Sequence, residues 1–409
     1  MSLPPEPPAT TLLVTLTGRD RPGLTAQLFT ALSAFDVEVL DVEQVTVRGR
    51  LVLAVLLNPA PAFDEVAFRP ALVTLGEQLG VDVELAPGHG DRRRPPGRAH
   101  ITVLGHPLRP GAVAALTDAV AKAGANIDRI VRLASYPVTS IEFEVSGADP
   151  GRLKADLAAV ALAEGADVAV QPSGLLRRAK RLVVMDVDST LVQGEVIEML
   201  AEKAGVLDQV ASVTTRAMQG ELDFAASLRE RVRLLAGLPA SAVAEVRDAV
   251  QLTPGARTLI RTLKRLDYRC AIVSGGFTQI TDPLADELGI DYAAANTLEI
   301  ADGVLTGGLV GPILDRAGKA AALARFAAAE GIPLSQTIAV GDGANDLDMI
   351  AAAGLGVAFN AKPVVRSAAD TAVNVPYLDA ILYLLGISRD DIEAADAADG
   401  TPTPAPPVR

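Results

Sequence analysis

The chain has 409 residues, enough for two or three domains, and 49% are hydrophobic; with 3% aromatics and no Trp, its cores must be filled by Ala, Val and Leu. A formal net charge of -13 excludes a general nucleic-acid binder, which needs a basic footprint, but leaves room for a local cationic pocket. The single cysteine, Cys270, excludes an intrachain disulfide; together with a Pro-rich start that lacks a secretion-signal pattern, and no apolar run near about 18–20 residues, this leads us to expect a cytoplasmic location without a membrane partner.

Two copies of one unit come first, at 10–87 and 98–172, separated by a Gly-, Pro- and Arg-rich linker. Leu12–Gly23 and Ile101–Gly111 each read as a strand, a Gly turn and an Arg-Pro-Gly opening of a helix, with Pro22 and Pro110 where a first helical turn tolerates proline. Strands follow at about 38–47 and 51–57 in the first copy and 127–133 and 138–145 in the second, then a helix and a closing strand at about 81–86 and 167–171. The order β-α-β-β-α-β is a ferredoxin-like split unit. Gly18-Arg19-Asp20-Arg21-Pro22-Gly23-Leu24 resembles the opening of an ACT domain, a small amino-acid-sensing module. The second copy is diverged: it carries one more residue between Gly105 and Arg109 and no counterpart of Asp20. The resemblance implies an effector site near Gly18, Asp20 and Gly105, an amino acid such as L-serine as the effector, and a homodimer. The three histidines, His89, His100 and His106, read as surface or linker groups.

Gln171–Arg181 is a second junction, with a short helix expected over Leu175–Lys180. From there apolar strands at 182–186, 269–273, 337–341, 355–359 and 371–375 alternate with long helices, which predicts an α/β domain over 181–387: a parallel sheet with helices on both faces. Ligands of such sheets gather beyond the carboxyl ends of the strands. Candidate groups stand there. The apolar run Val183–Met185 ends in two aspartates one residue apart, Asp186 and Asp188, with Ser189 and Thr190 behind them. Asp carboxylates can attack phosphorus and carry it covalently. Asp188 can then protonate a leaving oxygen and later activate water. Gly341-Asp342-Gly343-Ala344-Asn345-Asp346 supplies further carboxylates, and all-oxygen ligands point to Mg²⁺, held by Asp186, Asp342 and the carbonyl of Asp188 with Asp346 in support. The Ser274 hydroxyl and the Gly275 N–H can grip phosphoryl oxygens as the next helix begins, and Lys319 can balance the remaining charge. Taken singly each piece is plain: two aspartates after a strand usually cap a helix, and a lone Lys is usually solvated.

Together they resemble the haloacid dehalogenase superfamily, whose four motifs map onto Asp186–Thr190, Ser274, Lys319 and Gly341–Asp346. An Asp at position 188 marks the phosphatase branch. Asp186-Val-Asp-Ser-Thr-Leu-Val-Gln-Gly-Glu195, Met218-Gln-Gly-Glu-Leu-Asp-Phe224, Ser227-Leu-Arg-Glu-Arg231 and Ser274-Gly-Gly-Phe277 are similar to the phosphoserine phosphatases. That resemblance implies a helical cap at about 194–252 and O-phospho-L-serine as substrate. It implies that Glu195 holds the ammonium and Arg231 the carboxylate, that Met218 and Phe224 line the pocket, and that Asn345 holds the phosphate end. Another small phosphate ester or a phosphoprotein is the alternative substrate, and phosphotransfer the alternative reaction. Residues 388–409 read as a disordered tail.

Overall fold

The computed structural model of the chain describes residues 11–88, 97–219 and 221–401, which make two compact units, one from 11–88 and one from 97–401. The first contains β1 (Thr11–Arg19), α1 (Leu24–Leu32), β2 (Val37–Val47), β3 (Arg50–Pro59), α2 (Glu65–Leu79) and β4 (Asp82–Gly88). Its antiparallel sheet has the order β2-β3-β1-β4. Leu12, Val14 and Leu16 alternate inward with Leu51, Leu53, Val55 and Leu57 and meet the Leu24-Leu28-Leu32 stripe of α1, spaced by four residues as a helix face requires. The side chain of Asp64 caps α2 by accepting from the Ala67 N–H at 3.0 Å. Strand β2 is the sheet's edge and exposes Val39, Leu40, Val42, Val45 and Val47.

The second unit begins with the same β-α-β-β-α-β order: β5 (Ala99–Gly105), α3 (Pro110–Lys122), β6 (Asn126–Ala134), β7 (Thr139–Ser146), α4 (Pro150–Glu164) and β8 (Asp167–Pro172). A 3₁₀ turn at Leu175–Arg178 stands where the connecting helix was expected. Then follow β9 (Leu182–Met185), four helices α5 (Val196–Ala204), α6 (Leu207–Met218), α7 (Phe224–Arg233) and α8 (Ala240–Ala249), and α9 (Ala256–Arg265). The chain goes on through β10 (Arg269–Phe277), α10 (Thr278–Leu288), β11 (Tyr292–Ala301), β12 (Val304–Val310), α11 (Arg316–Ala329), β13 (Thr337–Gly341), α12 (Leu347–Ala352), β14 (Gly356–Phe359), α13 (Pro363–Ala368), β15 (Thr371–Val373), α14 (Ile381–Leu384) and α15 (Arg389–Ala398).

The sheet order is β12-β11-β10-β9-β13-β14-β15-β8-β5-β7-β6. The run from β11 to β15 is parallel, and the strands of the ferredoxin-like part are added antiparallel through the Thr371–Ala169 pair. Separate apolar clusters cover its two faces: Val183, Met185, Ile272 and Val340 point into one, Val184, Ala271, Val273 and Ala339 into the other. That alternation is the period-two pleat of strands buried on both sides.

The ferredoxin-like part is joined to the large sheet by polar contacts as well as by the strand pair. Asp167 accepts from the Asn374 N–H at 2.6 Å, Gln171 donates to the Leu384 carbonyl at 2.7 Å, and Lys154 pairs with Asp370 at 2.8 Å. His100 belongs to this junction, which corrects its reading as a surface group: its Nδ1 lies 3.0 Å from Glu142, which also accepts from Arg177. His106 bonds the Pro137 carbonyl at 2.8 Å, and His89 lies outside the described residues.

The expected disorder of the tail is likewise corrected for residues 388–401. Ser388 caps α15 by accepting from the Asp391 N–H at 3.1 Å, and Ile392 is buried. Asp396, fully buried, takes Arg261 at 2.9 and 2.7 Å and Arg265 at 2.6 Å. An acidic, Ala-rich segment reads as unable to fold alone; here its charge is matched by two arginines of α9 more than a hundred residues away. Residues 402–409 lie outside the described set. Replacing Asp396 by Ala leaves two guanidiniums without this partner. We expect a loss of about 2–4 kcal/mol, read as a fall of several degrees in the melting temperature of the full chain; an unchanged melt would show that α15 contributes nothing.

Candidate active site

Parallel pairing of β9 with β13 aligns Met185 with Val340, so Asp186 comes opposite Gly341, and Asp342, one residue further on, joins it at the carboxyl edge of the sheet. Asp186 is extended and almost wholly buried, and its Oδ1 accepts from the Val187 N–H at 2.8 Å. Beyond it the chain turns sharply. Asp188 leaves the strand direction, and Ser189 sits at φ 57°, a left-handed conformation uncommon for a residue with a Cβ. The turn brings Asp188 back over the strand ends, where its Oδ1 accepts from the Val196 N–H at 2.8 Å and its Oδ2 from the Ser274 hydroxyl at 3.0 Å.

Lys319, near the start of α11, is fully buried, and its Nζ bridges Asp186 Oδ1 at 2.8 Å and Asp346 Oδ1 at 2.7 Å. Burial alone would lower the Lys319 pKa; the two carboxylates more than reverse that and raise it. Burial raises Asp186, the Asp346 charge raises it further, and Lys319 opposes them. Asp342 is pushed up to about 6, first by burial and then by Asp346, although it accepts from the Thr190 hydroxyl at 3.2 Å. One oxygen each from Asp186, Asp342 and Asp346 lies within 4.8 Å of the others. An all-oxygen donor set with more carboxylate than ammonium suits a hard divalent cation, so these residues can hold a metal ion. Asp346 is already engaged by Lys319 and by the Gly343 N–H at 3.0 Å, which ties it to the framework of the cluster.

Ser274 lies at the end of the regular part of β10 and is buried. The expectation that a helix begins at the Ser-Gly-Gly is corrected: the strand continues irregularly to Phe277 and α10 starts at Thr278. Register slips between Val273 and Phe277, and the N–H that meets the Ser274 oxygen is that of Gly276, at 2.7 Å. The Gly275 carbonyl is held by the Asn296 amide at 2.9 Å, and a Cβ at position 275 would stand 3.1 Å from the Phe224 ring.

Helices α5–α8 stand over this edge with their own core of Leu200, Leu228, Val232 and Val246. The chain entering and leaving them is tied at the base by the Val192–Leu252 bridge and by the Thr253 hydroxyl on the Thr190 carbonyl at 2.7 Å. Between helices and sheet edge lies a cavity of about 700 Å³. Asp186, Asp188, Gly275, Asp342 and Asn345 line its floor; Glu195, Phe224 and Arg231 line it from the helices. Glu195, exposed at the rim, accepts from the Ser189 hydroxyl at 3.0 Å. Crowding by the cavity walls, then the Asp188 charge, pushes its carboxyl up to about 7. Burial lowers the Arg231 pKa against the pull of Glu195. The side chain of Met218 lies outside the described residues.

Gly18, Asp20 and Gly105 are not part of this site. Gly18 and Gly105 are close-approach positions: a Cβ would stand 2.6 Å from Val81 in one and 2.7 Å from Leu108 in the other. Asp20 accepts from the Thr46 hydroxyl at 3.1 Å. Sequence reasoning missed Thr253 and Lys362, which hold or line the site from loops, and Asn296, which does so from within β11; none belongs to a motif, and only their polar residue types hinted at them.

Comparison with known proteins agrees with this geometry. Residues 183–351 match the haloacid dehalogenase-like hydrolase family, and residues 10–86 and 98–171 each match an ACT domain family. A phosphoserine phosphatase of Streptomyces coelicolor is 61% identical over 94% of this chain and 94% of its own. One from Mycobacterium tuberculosis is 52% identical over 96% of this chain and 97% of its own. The crystal structure of a probable phosphoserine phosphatase from Vibrio cholerae superposes with a TM-score of 0.57 at 36% identity, covering 73% of this chain and 88% of that one. Identity of this order over nearly the whole of both chains, on a sheet edge bearing all four motifs, makes the chain a member of the phosphoserine phosphatase family of haloacid dehalogenase-like hydrolases, preceded by two ACT domains.

Proposed function

We propose that the chain hydrolyses O-phospho-L-serine to L-serine and phosphate with Mg²⁺ as cofactor. The observation that carries this reading is the division of one cavity: Asp186, Asp188, Gly275 and Asn345 on the sheet side, with Ser274 bonded to Asp188, face Glu195 and Arg231 on the cap side. The sheet side suits a phosphoryl group. The cap side offers a carboxylate for an ammonium and a guanidinium for a carboxylate, the two charges of an amino acid.

A carboxylate oxygen of Asp186 attacks phosphorus while the bond from phosphorus to the serine oxygen breaks. Asp188 gives its proton to that oxygen, and serine leaves. Burial holds Asp188 above the usual carboxylate range, which favours this proton-donor role. Asp188 then takes a proton from water, the hydroxide attacks the phosphorus on Asp186, and phosphate departs with the Asp186 carboxylate restored. The N–H groups near Ser274, together with Lys319 and Asn345, would receive charge on the phosphoryl oxygens. Asp186, Asp342 and the Asp188 carbonyl would hold Mg²⁺, with Asp346 in support; when bound, the ion neutralises charge that otherwise opposes an anionic ester. Uncatalysed hydrolysis of such esters is slow enough that accelerations reach roughly 10²¹-fold, so placement and charge must act together.

Phosphate release from O-phospho-L-serine, measured with and without Mg²⁺, tests the reading. Asp186→Asn should lower kcat by at least about 10³-fold with the melting temperature retained. Arg231→Ala should raise KM by roughly 10–100-fold and erase the preference for phosphoserine over phosphohomoserine; a variant that keeps its preference contradicts the pocket. Glu195 must be ionised to hold an ammonium, and protonation removes that charge. Hence kcat/KM should fall as pH drops below about 7, and Glu195→Gln should start lower and keep only the fall set by Asp342, nearer 6.

The ACT domains support regulation by an amino acid such as L-serine and assembly as a homodimer, with the exposed apolar edge β2 as the joining strand. Titration calorimetry with millimolar L-serine should show binding that persists in the full-length Arg231→Ala variant, whose cap pocket is disabled, and light scattering should give twice the chain mass; a monomer whose Arg231→Ala variant gives no heat sinks both.

A further inference from the structure

Among the described residues, five carboxylates and only two cations, Arg231 and Lys362, line the cavity. The whole chain carries a formal charge of -13. A phosphate monoester of an amino acid carries a net charge of about -2 near neutral pH. Its approach is therefore opposed both by the field of the protein and by the walls of the site. Arg231 belongs to the cap and, on the reading above, meets the carboxylate end. Lys362 belongs to the sheet side and no motif claims it.

Lys362 follows β14 and its N–H donates to the Asp342 carbonyl at 3.3 Å. Ala361 before it and Val365 after it are buried, so the backbone is anchored. The side chain is exposed and makes no ion pair with any described residue. It lines the cavity together with Asp342 and Asn345, and its charge favours the ionised form of Asp342. A solvated lysine is ordinary; an unpaired one on the lip of an acid-rich cavity, beside the loop bearing Asp342 and Asn345, is not.

We propose that Lys362 is a positioning residue that draws the phosphate end of the ester into the cavity and holds it toward the Asp342–Asn345 loop, so that it governs entry of substrate more than bond breaking. The proposal rests on phosphoserine hydrolysis as the activity.

Steady-state kinetics on O-phospho-L-serine across ionic strength test it. At about 10 mM ionic strength, where charges act over roughly 30 Å, Lys362→Gln should lower kcat/KM by roughly 3–10-fold, with more of the loss in KM than in kcat. The deficit should narrow by about 150 mM, where the range is roughly 8 Å. Lys362→Glu should fall further, and Lys362→Arg should recover most of the loss. Lys122→Gln, which removes the same charge from an exposed helix of the second ACT domain, should match the wild type. Equal kcat/KM for Lys362→Gln and wild type at low salt, a deficit insensitive to salt, or no recovery with Arg overturns the proposal. If the wild-type chain releases no phosphate at all, it is the underlying activity that fails.

Discussion

Everything at the sheet edge is arranged around one buried ammonium. Lys319 Nζ sits 2.8 Å from Asp186 and 2.7 Å from Asp346, and all three groups are almost wholly removed from water. Burying an ion pair is costly and contributes little net stability even when the geometry is good. Here one cation faces two carboxylates, with Asp342 and Asp188 close behind, so the cluster is left short of positive charge. That shortage makes little sense as a device for stability. It makes sense as a place prepared for a further cation and for a phosphoryl group whose charge moves during reaction. The fold meets the requirement with three independent elements: β9 delivers Asp186, β13 and the turn after it deliver Asp342 and Asp346, and the first turn of α11 delivers Lys319.

The second aspartate couples this cluster to the cap. One oxygen of Asp188 accepts from the N–H of Val196, the first residue of α5, and the other from Ser274 on β10. The strained Ser189 between Asp188 and Thr190 reaches Glu195 at the cap's edge. A shift of the cap's first helix must therefore be felt at Asp188 and Glu195 together. This is the linkage expected of a lid whose closure completes a site.

The motif residues were legible because each stands at the end of an apolar strand or the start of a helix, where periodicity breaks and a polar side chain has no packing reason to exist. The parallel order that brings Asp186 beside Asp342 follows from strands alternating with helices. Other features were not legible because they depend on partners distant in sequence. Ser388–Thr401 looks too polar to fold until Arg261 and Arg265 are set against Asp396. His100 looks like a surface residue until β5 is placed against β7 and the Arg177 turn. The β11–β12 hairpin and the irregular end of β10 escaped notice because Ala, Gly and Asn carry weak strand signals, and the slip after Val273 falls where β10 pairs with β11. Asn296 and Thr253 donate to backbone carbonyls, a role many polar residues could fill.

The decisive measurement concerns where phosphorus resides in mid-reaction. Full-length enzyme mixed with O-phospho-L-serine, quenched in acid within milliseconds and reduced with borohydride, converts an aspartyl phosphate to homoserine, which peptide mass spectrometry locates. Homoserine at position 186, absent without substrate, is the expected result. Homoserine at position 188, phosphate on Ser274, or turnover with no covalent species would contradict Asp186 as the group that carries the phosphoryl.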